Sequence, residues 1–289
     1  MTSKAPFKWR HFAPDIILWG VRWYCLYPIS YRNLEEMMCD RGVEVDHSTL
    51  SRWVQKYAPE LDKRCRPHLQ PTNDSWRVDE TYIKVKGEDK YLYRAVDSQG
   101  NTLDFLLTAK RDASAAKRFF RKTLQASHTQ NPRVINVDKN AAYPKAIDEL
   151  KAEKELPESV ELRQNKYLNN RVEQDHRFVK RLTKPGMGFH SFNTARRTLR
   201  GIEAMNMLRK GQVVGVQKGD VLARTEFVFQ IFGVAADAVG EILLNISTQE
   251  NPMSGMAEKM LNFGFETVSL FDSKAFCKKL EFCNQPIQS

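Results

Sequence analysis

Three carboxylates in the middle of the chain have the residue types and surroundings of a metal-dependent catalytic site. Asp79 lies inside an alternating apolar segment, and Asp138 directly follows the apolar run Val134–Val137. Glu173 lies on a helical pattern further along the chain. Hard cations such as Mg²⁺ take oxygen ligands, and a pair of them about 4 Å apart can activate one oxygen and stabilise another. Taken singly, a strand-end aspartate is more often a turn residue and a helical glutamate more often solvated, so both interpretations stand at this point.

The helical pattern that carries Glu173 has one basic face. At 3.6 residues per turn, Glu173, Arg177 and Lys180 share that face, whereas Asp175 points roughly 200° away. Glu173 rather than Asp175 is therefore the expected metal ligand. His176 lies at the edge of the basic face and is interpreted as an orienting or solvent-facing residue. The residues predicted to contact a nucleic-acid backbone here are Arg177, Lys180 and Arg181.

The segments around these carboxylates predict an α/β fold. Alternating residues predict a three-stranded meander, and apolar stripes at helical spacing alternate with short strands after it. Three antiparallel strands followed by alternating helices and strands make an α/β layer with a mixed sheet. The predicted strands are 76–86, 91–96, 103–108, 133–137 and 160–163, and the predicted helices are 113–126, 141–150, 170–182 and 194–208.

The first seventy residues predict a helix-turn-helix arrangement. Helices are predicted over 15–27, from a Ser30 cap to Arg41, and over 47–57, where the step at residues 58–59 into proline ends the third. In that geometry the third helix enters the major groove with its N-terminal end first. A plain three-helix bundle without a nucleic-acid role has the same pattern. The predicted DNA contacts on the third helix are His47, Ser48, Thr49, Ser51 and Arg52.

Composition narrows the class of partner. The 289 residues include 45 Lys and Arg against 35 Asp and Glu, a net charge of +10. The excess favours a polyanionic partner, although a solvated basic helix face would have the same composition as a phosphate-binding groove. The five cysteines form no CxxC pair, which argues against a disulfide framework or a zinc knuckle. A reducing cytoplasm fits this cysteine usage best, so we expect a cytoplasmic protein. The apolar stretch 227–246 contains charged residues and is a poor membrane span, so we expect no membrane partner.

Several motifs occur in a fixed order along the chain. They are PDIILWGVRWYCLY (14–27), ISYRNLEEMM (29–38), VDHSTLSRWVQKYAPEL (45–61), VDETYIKVKG (78–87), YLYRAVDSQG (91–100), NVDKNAAY (136–143) and NNRVEQDHRFVKR (169–181). In these motifs the chain resembles the transposases of IS6-type bacterial insertion sequences, a DDE group, from about residue 6 to residue 236. Thirty-four residues lie between Asp138 and Glu173, which is the spacing associated with that family, and Lys180 occupies the basic position that follows.

The resemblance implies a domain organisation and a catalytic site. Residues 74–212 would be a ribonuclease-H-like catalytic domain and residues 1–66 a helix-turn-helix DNA-binding domain. Residues 213–289 would be a C-terminal tail, of which 237–289 extends beyond the usual family end, either as an added helical subdomain or as read-through into unrelated sequence. By the same resemblance Asp79, Asp138 and Glu173 are the catalytic triad and hold two Mg²⁺ ions, for which Mn²⁺ is an alternative.

The resemblance also implies a reaction. The family binds the terminal inverted repeats of its element, cleaves the DNA and joins the freed 3′-OH to target DNA, in replicative transposition that forms a cointegrate. Because two ends must be held together, we expect a homodimer or a higher homo-oligomer, associated with the bacterial nucleoid. Two alternatives remain: a ribonuclease-H-like nuclease without strand transfer, and an inactive transposase-derived DNA-binding regulator.

Overall fold

The computed structural model describes residues 6–7, 11–165 and 170–234. Within these residues no helix is long and apolar enough to cross a membrane. The helices are α1 (Pro14–Leu26), α2 (Tyr31–Cys39), α3 (His47–Cys65), α4 (Ala113–Leu124), α5 (Ala142–Ala152), α6 (Asn170–Thr183), α7 (Phe192–Lys210) and α8 (Val221–Ile231), with a 3₁₀ turn at Arg66–His68. The strands are β1 (Ser75–Val85), β2 (Glu88–Asp97), β3 (Thr102–Thr108), β4 (Val134–Val137) and β5 (Glu161–Gln164).

Local sequence explains where the first helices begin. The Ser30 hydroxyl accepts a hydrogen bond from the backbone N–H of Asn33, whose side chain accepts from the Ser30 N–H in return, forming a reciprocal cap. The Asp46 carboxylate caps α3 by accepting from the Ser48 N–H at 2.8 Å. Each cap satisfies N–H groups that the first turn of a helix leaves without an intrahelical partner.

The predicted end of the third helix was wrong. Helix α3 continues through Pro59 to Cys65. A proline inside a helix leaves the carbonyl four residues earlier without its usual donor. Here that carbonyl belongs to Gln55, and the Arg197 Nε of α7 donates to it at 2.7 Å. The long-range contact therefore compensates for the hydrogen bond that Pro59 cannot make.

One five-stranded mixed sheet forms the centre of the fold. The strand order is β3-β2-β1-β4-β5, with β2 antiparallel to β1 and β3, and with β4 parallel to β1 and β5. The predicted α/β class with a mixed sheet is therefore confirmed. The parallel pairing of β1 and β4 places the carboxyl end of β4 beside the middle of β1.

Helices cover both faces of the sheet. Trp76 and Val78 point into an apolar core that α4 and α5 complete with residues such as Phe119 and Ile147, all fully or almost fully buried. The next residue of β1, Asp79, points the other way, because successive side chains of a strand alternate between faces. That second face is covered by α6, which packs against β1 and β2.

The N-terminal helices pack on the C-terminal part of the described chain. Helix α7 runs against α1 and α3, and α8 contacts the same pair. Helix α8 was not predicted from the sequence. The proposed boundaries at residues 66, 74 and 212 stay predictions, and the predicted extension 237–289 lies outside the described residues.

Candidate active site

The two predicted catalytic aspartates lie next to each other on neighbouring strands, Asp79 in the middle of β1 and Asp138 directly after the end of β4. Parallel pairing sets Trp76 opposite Ile135 and Arg77 opposite Asn136. Two residues further in the same register, Asp79 comes level with Asp138, which directly follows β4. Carboxylate oxygens of Asp79, Glu80 and Asp138 all lie within 4.8 Å of one another. The strand pairing alone therefore brings together two acidic residues that are far apart in sequence.

The third predicted residue, Glu173, approaches from the opposite helix. It lies in the first turn of α6 and its side chain is exposed. Among the described residues, Glu173 is not part of the set of oxygens within 4.8 Å, but its charge is close enough to raise the pKa of Asp79. Glu173 therefore lies on the solvent-exposed side of α6, near Asp79 but outside the cluster of the three other carboxylates.

Burial and like charge shift the ionisation of Asp79. Burial raises its pKa most, the charges of Glu80 and Asp138 raise it further, and the resulting pKa is about 7. Desolvation and nearby carboxylates both disfavour the ionised form. A cation between these oxygens would lower the pKa of Asp79 again, because its positive charge stabilises the ionised carboxylates.

Glu80 is a fourth carboxylate that the sequence analysis did not single out. Its side chain is only 2% exposed and accepts hydrogen bonds from the Tyr143 hydroxyl and, at 3.4 Å, from Asn140 Nδ2. A second acidic residue next to Asp79, within a strand whose burial alternates, was the available signal, because a buried carboxylate requires partners.

Arg111 is a second residue that was missed. It pairs with Glu80, and its Nη2 lies 3.5 Å from Asp138 Oδ2. Arg111 lies in the loop between β3 and α4, far from the carboxylates in sequence. No local pattern distinguishes it from the other arginines of this basic region.

The donor set fits a divalent cation with hard-ligand preferences. Asp79, Glu80 and Asp138 offer only carboxylate oxygens, which suit Mg²⁺ and Mn²⁺ rather than softer metals. The partial exposure of Asp138 leaves the cluster open on one side, and Glu173 adds a further carboxylate near Asp79.

Comparison with known proteins identifies the family. Residues 73–212 match the DDE_Tnp_IS240 family, a DDE domain. The chain is 40% identical over 206 residues to the transposase for insertion sequence-like element IS431mec of Staphylococcus aureus strain Mu50, covering 71% of this chain and 88% of that one. The transposase for insertion sequence element IS257 in transposon Tn4003 of Staphylococcus aureus matches to the same extent. The chain belongs to the IS6-type insertion-sequence transposases.

The transposase is therefore an enzyme of the DDE class. Among solved structures, the HTLV-2 integrase catalytic core domain in complex with magnesium, in its dimeric form, is 14% identical with a TM-score of 0.36. That likeness covers 56% of the transposase and 98% of the integrase core.

His176 does not face solvent in the transposase, which corrects one of the two roles considered for it. Its side chain is buried, and Nδ1 lies 3.7 Å from Asp79 Oδ2. Burial and, to a lesser extent, the positive charge of Arg94 lower the pKa of His176 to about 3. The ring is therefore neutral near pH 7 and packs beside Asp79 without adding a charge.

The basic residues predicted on α6 lie on the surface of the transposase. Arg177, Lys180 and Arg181 are all exposed, and the Arg181 guanidinium also lies over the Phe178 ring. Asp175 is buried on the other side of the helix. The basic face of α6 is thus open to a ligand, and its contact with DNA stays a prediction.

The residues predicted to contact DNA on α3 have different surroundings. His47 pairs with Glu35 at 3.0 Å and lies 3.3 Å from Asp46. Arg52 is exposed and donates to the Ser48 hydroxyl at 3.0 Å. Thr49 and Ser51 are half-buried whereas Ser48 is exposed. Acidic neighbours thus surround His47, and Arg52 is the predicted cationic contact that remains open on this helix.

Proposed function

We propose that this transposase cleaves DNA at the ends of its element and transfers the freed 3′-OH to a target strand, using Asp79, Asp138 and Glu173 as metal ligands. The observation that carries the proposal is the convergence of Asp79, in the middle of β1, and Asp138, directly after β4, in a family of DDE enzymes. Glu173 faces them from α6 and interacts electrostatically with Asp79.

The chemistry follows from how these side chains are held. Two Mg²⁺ ions, or Mn²⁺, would be held by Asp79, Asp138 and Glu173 and would supply activation of the attacking oxygen and stabilisation of the leaving oxygen. Asp79 is held within β1 and Asp138 directly follows β4, so the strand pairing positions both aspartates. The buried Glu80, held by Tyr143 and paired with Arg111, lies beside them.

The same site would act twice in succession. A water oxygen attacks the phosphodiester at the element end, which leaves a 3′-OH on the element strand. That hydroxyl oxygen then attacks a target phosphodiester, forming one phosphodiester bond as another breaks, with no covalent enzyme intermediate. In this proposal the outcome is replicative transposition with a cointegrate as product.

DNA recognition is assigned to the surfaces that remain open. The helices α1 to α3 would bind the terminal inverted repeats, with Arg52 at a phosphate or base edge. The exposed basic face of α6, beside Glu173, would hold the DNA backbone near the carboxylates. Because two ends must be cut and joined together, the working form would be a homodimer or a larger homo-oligomer.

Substitution of the carboxylates tests this assignment. Asp138→Asn and Glu173→Gln should each lower Mg²⁺-dependent cleavage of the element ends by about 1,000-fold or more, because each removes a ligand charge. Binding of the end DNA, measured by electrophoretic mobility shift, should remain close to wild type. The exposed Asp148→Asn on α5 is the matched control. Equal loss of binding and cleavage would show that the carboxylates are structural.

A further inference from the structure

Arg111 combines a fixed backbone position with an open guanidinium. It directly precedes Asp112, whose carboxylate caps α4 by accepting from the Ala115 N–H at 2.8 Å. The Arg111 side chain is 36% exposed, although it pairs with a glutamate that is 2% exposed. The Arg111 guanidinium therefore lies between the buried Glu80 carboxylate and solvent.

Arg111 contacts two carboxylates, and its contact with Glu80 is shorter than its contact with Asp138. Glu80 is the closer partner and is itself held by Tyr143 and Asn140, so it stays in place without Arg111. Asp138 lies at 3.5 Å, at the outer limit of a hydrogen bond. The guanidinium can therefore leave Asp138 while remaining anchored at Glu80.

Asp138 is also a ligand in the proposed function, and a cation and Arg111 would compete for the same carboxylate. A divalent cation bound at Asp138 would lie close to the positively charged Arg111 guanidinium. At that short range the repulsion between the two positive charges is strong. If Arg111 is displaced towards solvent, its guanidinium can instead bind a phosphate group of DNA. The planar guanidinium can donate to two phosphate oxygens at once.

We propose that Arg111 is a further active-site residue of this transposase, one that neutralises Asp138 in the metal-free protein and binds a phosphate oxygen of the DNA strand being cut once metal is bound. The inference rests on the proposed function for the identity of the phosphate. The competition between Arg111 and metal at Asp138 does not depend on the reaction.

Two measurements on full-length Arg111→Gln separate these roles. Free Mn²⁺ is followed by electron paramagnetic resonance during titration of the protein without DNA. Loss of the competing charge should tighten Mn²⁺ binding by about threefold or more. Cleavage of end DNA at saturating Mn²⁺ should fall by about tenfold to 100-fold, because a donor to the phosphate is lost. Tighter metal binding with slower cleavage is an outcome that a purely structural role for Arg111 would not produce.

The matched control is Arg121→Gln. Arg121 lies near the far end of α4 and also pairs with two carboxylates, Glu153 and Glu155. It should leave both Mn²⁺ affinity and cleavage unchanged. Unchanged or weaker Mn²⁺ binding by Arg111→Gln would overturn the competition, and wild-type cleavage would overturn the phosphate contact.

Arg111→Lys keeps the measurement decisive if the glutamine variant does not fold, as judged by its thermal unfolding. Lysine preserves the charge but not the two-pronged contact, so Mn²⁺ affinity should stay at the wild-type value while cleavage falls. Wild-type cleavage by Arg111→Lys would contradict the proposal. If the wild-type chain binds Mn²⁺ but cuts no DNA, the proposed function fails, whereas the Mn²⁺ titrations still decide the competition at Asp138.

Discussion

Arg94 on β2 donates a hydrogen bond to Asp175 on α6 at 2.7 Å, and the guanidinium is completely buried. The same guanidinium donates to both oxygens of Glu203 on α7, at 2.6 and 2.7 Å. Arg94 also lies opposite Asp79 in the antiparallel pair of β1 and β2. One buried side chain thus links β2, the strand that pairs with the Asp79 strand, to the helix that carries Glu173.

Loss of the Asp175 charge should destabilise the transposase. Lys210 also contacts Asp175, at 2.8 Å, and the charges of Arg94 and Lys210 lower the pKa of Asp175 far below its ordinary value although burial opposes this. Asp175→Asn leaves two buried cations facing Glu203 alone, so we expect a loss of about 3 kcal/mol in the free energy of unfolding. Urea denaturation measures it, with exposed Asp148→Asn as the control. A loss no larger than that of the control would contradict the role given to the pair.

Acid should destabilise the protein through Asp104. Burial alone would raise the pKa of Asp104, but Lys122 at 2.6 Å and Arg66 at 2.8 Å lower it below the ordinary value. A carboxylate with a lowered folded-state pKa contributes stability above its unfolded pKa of about 3.9, and that stability is lost as pH falls below it. In Asp104→Asn, the free energy of unfolding should be lower at pH 7 and should approach wild type near pH 3. Parallel pH profiles of the two proteins would refute the assignment.

Gly201 should not tolerate a methyl group. A Cβ at this position in α7 would lie 2.5 Å from the Cβ of Ala58 and 2.7 Å from Sγ of Cys25. An alanine usually stabilises a helix interior by about 1 kcal/mol relative to glycine, but overpacking costs about 1–3 kcal/mol. We therefore expect Gly201→Ala to lower the melting temperature. Gly20→Ala is the control, since its nearest neighbour is the movable end of Leu50 at 3.1 Å. A melting temperature raised by Gly201→Ala would rule out the close packing.

Arg52 should contribute to binding of the element ends. It is the exposed cation on the face of α3 that was predicted to meet DNA. Arg52→Ala should weaken binding by about tenfold at moderate salt and reduce the slope of log affinity against log salt by about 1. Arg133→Ala, at an exposed arginine paired with Asp74, is the control. Fluorescence anisotropy on a duplex with the element's terminal repeat provides the measurement, and an affinity equal to that of the control would remove Arg52 from the interface.

Much of the site could be predicted because it depends on local periodicity. The strand ending at Val137 and the helical phase that separates Glu173 from Asp175 both follow from short stretches of sequence, and the structure confirms them. Asp175 is buried and Glu173 exposed, as the helical period requires.

The features that were missed depend on contacts between distant residues. The step into Pro59 has the sequence of a helix end, but Arg197 supplies the hydrogen bond that allows α3 to continue. Likewise Arg111 meets Glu80 only because the loop after β3 lies beside the middle of β1. Such pairings are properties of the tertiary fold, so no pattern within either segment reveals them.

Strand transfer is tested most directly with a supercoiled plasmid that carries the gene and its natural flanks, incubated with Mg²⁺ and a second target plasmid. The wild-type chain should nick the plasmid at the flanks and join those ends to the target, and Asp138→Asn should do neither while still binding the ends. Nicking without joined product would instead indicate a nuclease. Binding without nicking by the wild-type chain would contradict the catalytic role of the Asp79, Asp138 and Glu173 site and favour a DNA-binding regulator.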